Sequence, residues 1–228
     1  MLEDRERVIL ETLKKIPKKD VVLIGGYAVN AYVPPRFSID CDLVVLDNLK
    51  KIKNILIKNG FEETIASDAP YKKFYRFERK DIKSAFDLLI DFVTDRSTGI
   101  RIPAKMIKKY SKIRTTVGRA NPIRIRLRLA NPEMLFIMKF LSCRKQDIRD
   151  IFMLSNLKLD VDFITKNLTK MTPEKIIKTR IQKVEGMITK KTFRDSLQGP
   201  YGYLPDKIFD NCKDSLLKIL ERFTGEIS

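Results

Sequence analysis

The sequence predicts an α+β or α/β fold in its first part and a helical region after it, with a boundary near residue 130. Up to residue 128, short apolar or alternating runs are interspersed with helical spacing. Asn131-Pro132-Glu133 then combines a helix N-cap, a proline at the first helical position and an acid in the first turn. Only helical patterns follow, so we predict domains at 1–130 and 131–228.

The predicted elements of the first domain are each bounded by a local signal. Pro17 stops an amphipathic helix, and the apolar run VVLI is broken by Gly25 and Gly26. The helix after Asn48 ends at Asn59-Gly60, and the run IRIRLR alternates as a strand does. The predicted helices are 2–16, 27–32, 48–59 and 103–110, and the predicted strands are 21–24, 40–46, 72–79, 85–92, 112–117 and 123–128.

The second domain contains apolar residues at helical spacing throughout. Pro173 and Pro205 lie near two of the predicted helix starts, where a proline is well tolerated. The predicted helices are 131–141, 145–155, 161–169, 173–190 and 205–224.

The composition excludes several kinds of chemistry. The chain has no histidine, which excludes Ser-His-Asp and Cys-His catalysis and the usual Cys/His zinc sites. Its three cysteines are far apart and form no CxxC pair, which favours a reducing compartment. Residues 1–19 lack a signal-peptide core and no apolar run could span a membrane, so we expect a cytoplasmic protein without a membrane partner.

The stretch 21–46 carries the most informative pattern. A predicted strand ends at Gly25 and Gly26, and glycines let the backbone approach a phosphate at the start of a helix. The next strand begins with Asp40 and Asp42, which the alternation of a strand places on one face. Two neighbouring carboxylates repel each other unless a divalent cation neutralises them, so they predict an Mg²⁺ site.

A third carboxylate for this site is available on the predicted strand at 85–92. Asp87 and Asp91 lie on the same face of that strand, so their spacing leaves both open.

The order strand, glycine pair, short helix and paired aspartates resembles the DNA polymerase β-like nucleotidyltransferase superfamily. The family signature is an apolar residue with a glycine pair, a spacer, and two aspartates alternating with apolar residues, here IGG at 24–26 and DCDL at 40–43. The resemblance covers roughly 20–155 and implies a mixed sheet flanked by helices. The family pattern places the third carboxylate at the start of an apolar run, which favours Asp87 over Asp91.

Residues 130–154 also resemble a segment of AbiEii-type nucleotidyltransferases, in which a helical lysine is followed by an arginine and then D-x-x-D. The matching residues are Lys139, Arg144, Asp147 and Asp150. Tyr27 departs from the pattern, because many relatives have Ser or Thr there. The resemblance implies that nucleotide is bound by Gly25, Gly26, Arg36, Ser38 and Lys139.

The resemblance implies an Mg²⁺-dependent enzyme that moves a nucleoside monophosphate from an NTP, such as ATP, to an acceptor hydroxyl. Asp40, Asp42 and Asp87 would be the catalytic residues and would hold two Mg²⁺ ions. More finely, we expect a toxin-type enzyme that has a cognate antitoxin-like protein as its partner. The alternative is a non-catalytic nucleic-acid-binding or toxin–antitoxin interaction protein on the same fold, which Mg²⁺-dependent NTP binding would argue against.

The positive charge is concentrated in one block. Residues 1–100 are nearly balanced (18 − 16 = +2), whereas residues 101–130 contain ten basic side chains and no acidic one. This block predicts a polyanionic partner, RNA before others, contacted by Arg124, Arg126 and Arg128 on one strand face. Two alternatives stay open: a merely solvated basic surface, or arginines that protect an exposed strand edge from aggregation.

Overall fold

The computed structural model describes residues 2–69 and 72–226. It confirms the predicted α+β class. The residues before Pro132 form a mixed sheet with flanking helices, and from Pro132 onward the described chain is helical. The helices are α1 (Leu2–Lys15), α2 (Gly25–Val29), α3 (Leu49–Lys58), α4 (Ala104–Lys109), α5 (Pro132–Ser142), α6 (Lys145–Leu154), α7 (Val161–Met171), α8 (Glu174–Ile188), α9 (Phe193–Tyr201) and α10 (Asp206–Glu226). The strands are β1 (Val21–Ile24), β2 (Asp40–Val45), β3 (Glu62–Ala69), β4 (Lys72–Arg79), β5 (Ser84–Ile90), β6 (Phe92–Thr94), β7 (Arg101–Pro103), β8 (Ser111–Val117) and β9 (Arg124–Ala130).

Within the described residues, seven strands form one sheet in the order β3-β4-β5-β2-β1-β9-β8. The pairs β2–β5 and β1–β9 are parallel, and the other neighbours are antiparallel. The short strands β6 and β7 form a separate antiparallel ribbon. The two parallel pairs make the sheet mixed, and β2 lies at its centre.

The two faces of this sheet differ in chemistry around β2 and β5. Cys41 and Phe86 are fully buried and pair in register, so one face is an apolar core. Phe61 follows helix α3, and its ring packs edge-on against Phe86 with the ring centroids 5.1 Å apart. The alternating positions of the same strands, Asp40, Asp42 and Asp87, lie on the opposite face.

Helix α1 is anchored on the loop between β8 and β9 by one buried carboxylate. Glu6, 1% exposed, accepts hydrogen bonds from the backbone N–H groups of Arg119, Ala120 and Asn121 at 2.6, 2.9 and 3.1 Å. A Cβ on Gly118 would lie 2.7 Å from this carboxylate. The loop therefore needs a glycine beside its anchor.

The helices α5 to α10 enclose their own apolar core. Phe136 and Phe140 of α5 contact Phe223 of α10, the latter pair with ring centroids 5.3 Å apart. Phe152 and Phe193 form a second edge-on pair at 5.0 Å. Each of these aromatic pairs joins residues far apart in the chain, so they bring helices of this region together.

The described chain divides into two compact units. One contains the residues up to Thr94 together with Arg101–Asn131, and the other contains Asp95–Ile100 together with the residues from Pro132 onward. Relative to the predicted domains at 1–130 and 131–228, the differences are the loop 95–100 and Asn131, which belongs to the first unit. That loop is tied to the helical unit by Arg180, whose guanidinium donates to Ser97 Oγ at 2.5 Å.

Several elements escaped the sequence analysis. β3, β6, β7 and α9 were not predicted, and α2 begins at Gly25 and not at residue 27. β6 and β7 are three residues long, and the sequence of α9 contains a Gly-Pro pair at 199–200. Short or irregular elements of this kind depend on their pairing and packing, which local propensity does not encode.

The strand order bears on the basic residues of β9. β9 lies between β1 and β8 in the strand order, and it pairs with β1 at Leu129, so β1 lies beside the C-terminal end of β9. Arg124 and Arg126 precede that end and pair on the other side with β8, so the interpretation that the arginines protect a strand edge stays open. In the described parts of the chain, no helix combines the length and the apolar character needed to cross a membrane.

Candidate active site

Asp40 and Asp42 lie at the start of β2 on the same face of the sheet, as the alternation predicted. Both are partly exposed, whereas the residue between them, Cys41, is fully buried. Burial, followed by the nearby charges of Asp42, Asp87 and Asp40, raises the pKa of the Cys41 thiol. The thiol therefore stays protonated.

Asp87 is placed beside this pair by the register of the parallel strands. It pairs directly with Asp42, and Asp40 pairs with Ala85 two residues earlier. Asp91 lies beyond the end of β5, has a φ of 63°, and forms an ion pair with Lys73. Geometry thus groups Asp87 with the two aspartates of β2, and the expectation that Asp91 shares its strand face is wrong.

Gly25 owes its identity to the carboxylate of Asp42. Its φ is +68°, a conformation that L side chains rarely adopt. A Cβ built there would lie 1.9 Å from Asp42 Oδ2, which is far inside van der Waals contact. The first glycine of the pair therefore leaves the space that the second aspartate of β2 occupies.

Gly26 faces the segment that precedes β2. A Cβ at this residue would lie 2.5 Å from Ser38 Oγ and 3.0 Å from Arg36 Nη2. Arg36 is buried, and its backbone N–H donates to Asn30 Oδ1 while Asn30 Nδ2 donates to its carbonyl. The structure therefore brings Gly26, Arg36 and Ser38 together, beside the aspartates that follow.

Tyr27, at the position where many relatives have Ser or Thr, is a core residue. Its side chain is fully buried, and its hydroxyl donates to the carbonyl oxygen of Ser38 at 3.3 Å. Burial is the main cause that raises the pKa of this phenol. Tyr27 packs the loop before β2 from within and offers no exposed hydroxyl.

Arg76 on β4 is the residue of this site that sequence reasoning missed. Its guanidinium donates to both carboxylate oxygens of Asp87 at 3.0 Å, and to Asp40 Oδ1 at 3.0 Å. Its Nε donates to Glu78 Oε1 at 2.6 Å. Partial burial lowers the pKa of Arg76, but the hydrogen bond to Glu78 and the charges of Asp87 and Asp40 outweigh it and raise that pKa.

The sequence contained one signal for this contact. In the strand KKFYRFER the residues Arg76 and Glu78 alternate with aromatic ones, which places them on one face. Pairing of β4 with β5 then sets Arg76 opposite Asp87 and Glu78 opposite Ala85. Only the strand order brings that face next to Asp40, and no local pattern encodes strand order.

The donor set suits a hard divalent cation. Mg²⁺ prefers carboxylate oxygens, and Asp40, Asp42 and Asp87 lie on one face of two adjacent strands, with Asp42 Oδ2 1.9 Å from the position that a Cβ on Gly25 would take. Across residues 2–69 and 72–226, however, no group of three or more acidic, cysteine or histidine side chains is already arranged to hold a metal ion. Arg76 instead engages Asp40 and Asp87.

Lys139 belongs to the helical unit, where it lies among carboxylates. Its ammonium group is 2.7 Å from Asp147 Oδ1 and 2.9 Å from Asp150 Oδ2, and Arg144 Nε donates to Asp147 at 2.8 Å. Tyr201 donates to the other oxygen of Asp150 at 2.6 Å. Burial raises the pKa of Asp147, but the Lys139 and Arg144 charges outweigh it, so the net shift is downward.

Arg124 and Arg126 are exposed, and Arg128 is half-buried and donates to the Ser111 carbonyl at 3.2 Å. The pairing of Leu23 with both Leu43 and Leu129 places the three arginines on the sheet face that carries Asp42. Ile24 pairs with Asp42 and is level with Ala130 on β9, so Asp42 and Ala130 are at the same height in the sheet. The three arginines lie progressively farther from that height along β9. At about 3.3 Å per residue, Arg124 is roughly 20 Å along the strand from that height.

No protein-family model matches this chain, and no curated protein sequence matches it. Among solved structures, it is similar to a candidate nucleotidyltransferase from Helicobacter pylori, with 14% identity, a TM-score of 0.49, and coverage of 98% of this chain and 95% of that one. It is also similar to JHP933 from Helicobacter pylori (17% identity, TM-score 0.43, coverage 99% and 93%). A third similar structure is the STING-associated CdnE c-di-GMP synthase from Capnocytophaga granulosa (13% identity, TM-score 0.24, coverage 98% and 79%).

Proposed function

We propose that this chain is a nucleotidyltransferase that transfers a nucleoside monophosphate from an NTP to an acceptor hydroxyl. One observation carries the proposal: Asp40, Asp42 and Asp87 lie on one face of two adjacent parallel strands. Gly25, whose Cβ would collide with the carboxylate of Asp42, lies against the second of these aspartates. A triphosphate bound there would meet carboxylates able to hold the cations that neutralise its charge.

Asp40, Asp42 and Asp87 would hold two Mg²⁺ ions, which supply Lewis-acid neutralisation of the triphosphate when bound. The acceptor oxygen forms a bond to the α-phosphorus, and the bond from that phosphorus to the bridging oxygen breaks, which releases pyrophosphate. We assign the proton of the acceptor hydroxyl to Asp87, the least exposed of the three carboxylates. Gly25 and Gly26 keep side chains out of the space in front of β2.

We assign nucleotide-binding roles to Arg36, Ser38 and Lys139. Arg36 and Ser38 lie against Gly26, so they would contact the phosphates that approach the glycine pair. Lys139 is engaged by two carboxylates, which orient its ammonium group, and we assign it to the nucleotide as the resemblance implies. The contacts among Lys139, Arg144 and Asp147 also support the finer assignment to the AbiEii-type branch, in which these residues form one motif.

RNA is the acceptor that the charge distribution favours. Arg124, Arg126 and Arg128 share the sheet face of the carboxylates but extend roughly 20 Å along it, a distance that an extended polyanion spans and a small acceptor does not. A toxin-type enzyme that modifies RNA, with an antitoxin-like partner, is the finest form of this proposal.

The test is incubation of the protein with each labelled NTP, Mg²⁺ and total RNA. We expect label in RNA. We expect Asp42→Asn to reduce the transfer rate by about 10²–10³-fold or more, because the cations that neutralise the triphosphate then lack one carboxylate ligand. Asp214→Asn, which changes an exposed carboxylate of α10, is the matched control. Near-normal transfer by the Asp42→Asn protein would contradict the assignment.

A second candidate function is favoured by one specific contact. The guanidinium of Arg76 already neutralises Asp40 and Asp87, as a protein that never binds a divalent cation would require. In that case the chain is a non-catalytic nucleic-acid-binding or interaction protein. Salt-dependent RNA binding without transfer from any NTP would identify this function.

A further inference from the structure

Four carboxylates and the guanidinium of Arg76 lie next to one another on strands β4, β5 and β2, on the sheet face of the candidate site. Arg76, Asp87 and Asp42 pair in register as one row across β4, β5 and β2. Asp40 and Glu78 form the next row, on either side of Ala85. Neighbouring strands lie about 4.8 Å apart, so the carboxylates of these rows repel each other strongly unless a cation lies among them.

Arg76 supplies that cation from within the chain. Its Nη1 contacts both oxygens of Asp87 and its Nη2 contacts Asp40 Oδ1, all at 3.0 Å. Its Nε is held by Glu78 at 2.6 Å, on the side away from Asp87. A guanidinium presents its donors in a fixed plane, so one side chain can connect three carboxylates in this way.

We propose that Arg76 is a resident counter-cation that holds Asp40 and Asp87 together before a divalent cation binds, and that metal binding displaces it from these two carboxylates. The inference rests on the proposed function, since it concerns the same carboxylates. Arg76 and Mg²⁺ compete for the same oxygens, and Glu78 retains the guanidinium when it is displaced. Arg76 is therefore a positioning residue that sets metal affinity through Asp40 and Asp87.

This arrangement has two measurable consequences. Without Arg76, a divalent cation no longer competes with a positive charge, so the protein binds it more tightly. Without Arg76 the metal-free protein is also less stable, because the carboxylates then repel each other, and added metal restores the stability. A purely structural arginine would produce the loss of stability alone.

The experiment measures Mn²⁺ binding by electron paramagnetic resonance, with Mg²⁺ as the competitor, and thermal unfolding with and without Mn²⁺. For Arg76→Gln we expect Mn²⁺ affinity to rise by about tenfold or more, because the cation no longer meets a positively charged guanidinium at the same carboxylate oxygens. We also expect Mn²⁺ to raise the unfolding temperature of this variant more than that of the unaltered chain. Arg79→Gln, which changes an arginine of β4 paired with Asp81, is the matched control and should leave Mn²⁺ affinity unchanged.

Arg76→Lys serves if Arg76→Gln does not fold. An ammonium group cannot contact three carboxylates in the way a guanidinium does, so we expect a Mn²⁺ affinity between that of the unaltered chain and that of Arg76→Gln. An unchanged or weaker Mn²⁺ affinity in both variants overturns the inference, and if Asp42→Asn still abolishes binding, the proposed function survives. If the unaltered chain and all variants bind no Mn²⁺, both the inference and the proposed metal site are wrong.

Discussion

Gly25 shows how one residue without a side chain shapes the candidate site. Its backbone is left-handed, with φ at +68°, and Asp42 Oδ2 occupies the position of its missing Cβ. A methyl group at residue 25 would therefore impose two costs: a strained backbone, and a displaced carboxylate. The two costs can be separated, because Gly99 has a φ of +73° and open space around its missing Cβ.

We expect Gly25→Ala and Gly99→Ala to lower the free energy of unfolding by about 1–3 kcal/mol each through backbone strain. Only Gly25→Ala should also weaken Mn²⁺ binding, because it moves Asp42. Urea unfolding and Mn²⁺ titration of both variants check this. Equal Mn²⁺ affinity in the two proteins would mean that the contact between Gly25 and Asp42 does not organise the metal ligands.

At the scale of elements, one buried ion cluster connects α5, α6 and α9. Lys139 of α5 contacts Asp147 and Asp150 of α6, and Tyr201 of α9 donates to Asp150. The side chains of Asp147 and Asp150 are 3% and 0% exposed, so their charges are compensated within the protein. Helix α6 also begins at this cluster, because Asp147 Oδ2 accepts the backbone N–H of Arg144 at 3.1 Å.

We expect Asp147→Asn to lower the free energy of unfolding by about 3–5 kcal/mol at pH 7, because it leaves a buried ammonium group partly uncompensated. The pKa of Asp147 is lowered in the folded state, so its contribution is present above the ordinary carboxylate value of 3.8 and is lost as the pH falls through the folded pKa. The difference between variant and unaltered chain should therefore shrink at pH 3.

Urea unfolding at several pH values between 7 and 3 measures this difference. Asp162→Asn is the control, because Asp162 is 83% exposed and its pair with Arg222 lies on the surface. We expect its effect to remain within about 1 kcal/mol. A loss that is the same at pH 7 and pH 3 would show that Asp147 acts through packing and not through its charge.

For the whole molecule, the formal net charge is +17, and residues 101–130 alone contribute +10 of it. Within this block, Arg124, Arg126 and Arg128 lie on the sheet face of the carboxylates, on strand β9. Each phosphate that an arginine neutralises releases counterions, so binding to a nucleic acid depends steeply on salt. If these arginines were merely solvated, replacing them would leave the salt dependence of RNA binding unchanged.

Replacing Arg124, Arg126 and Arg128 by Gln should reduce the slope of log affinity against log salt by about 2 for single-stranded RNA, since each lost phosphate contact removes about 0.7. NTP binding should be unchanged. The control is the triple replacement of Lys50, Lys51 and Lys58 by Gln, which removes the same charge from exposed positions of α3. Equal slopes for the two triple variants would contradict an RNA interface on β9.

The sequence by itself determined the paired aspartates of the candidate site and their local geometry. Period-two alternation placed Asp40 and Asp42 on one face of a strand, because side chains of a strand point alternately to its two sides. The alternating IRIRLR predicted the exposed arginines in the same way. The strong N-terminal signal at Asn131-Pro132 predicted where helical structure takes over, and α5 begins at Pro132.

Tertiary structure decided every relation that crosses between strands. Spacing left Asp87 and Asp91 open, and the parallel register of β5 with β2 sets Asp87 beside Asp42 while β5 ends before Asp91. The contact of Arg76 with Asp40 joins residues 36 positions apart in the chain. Local propensity and periodicity describe one strand at a time, whereas register and strand order depend on which strands pair, so only the assembled sheet could bring these charges together.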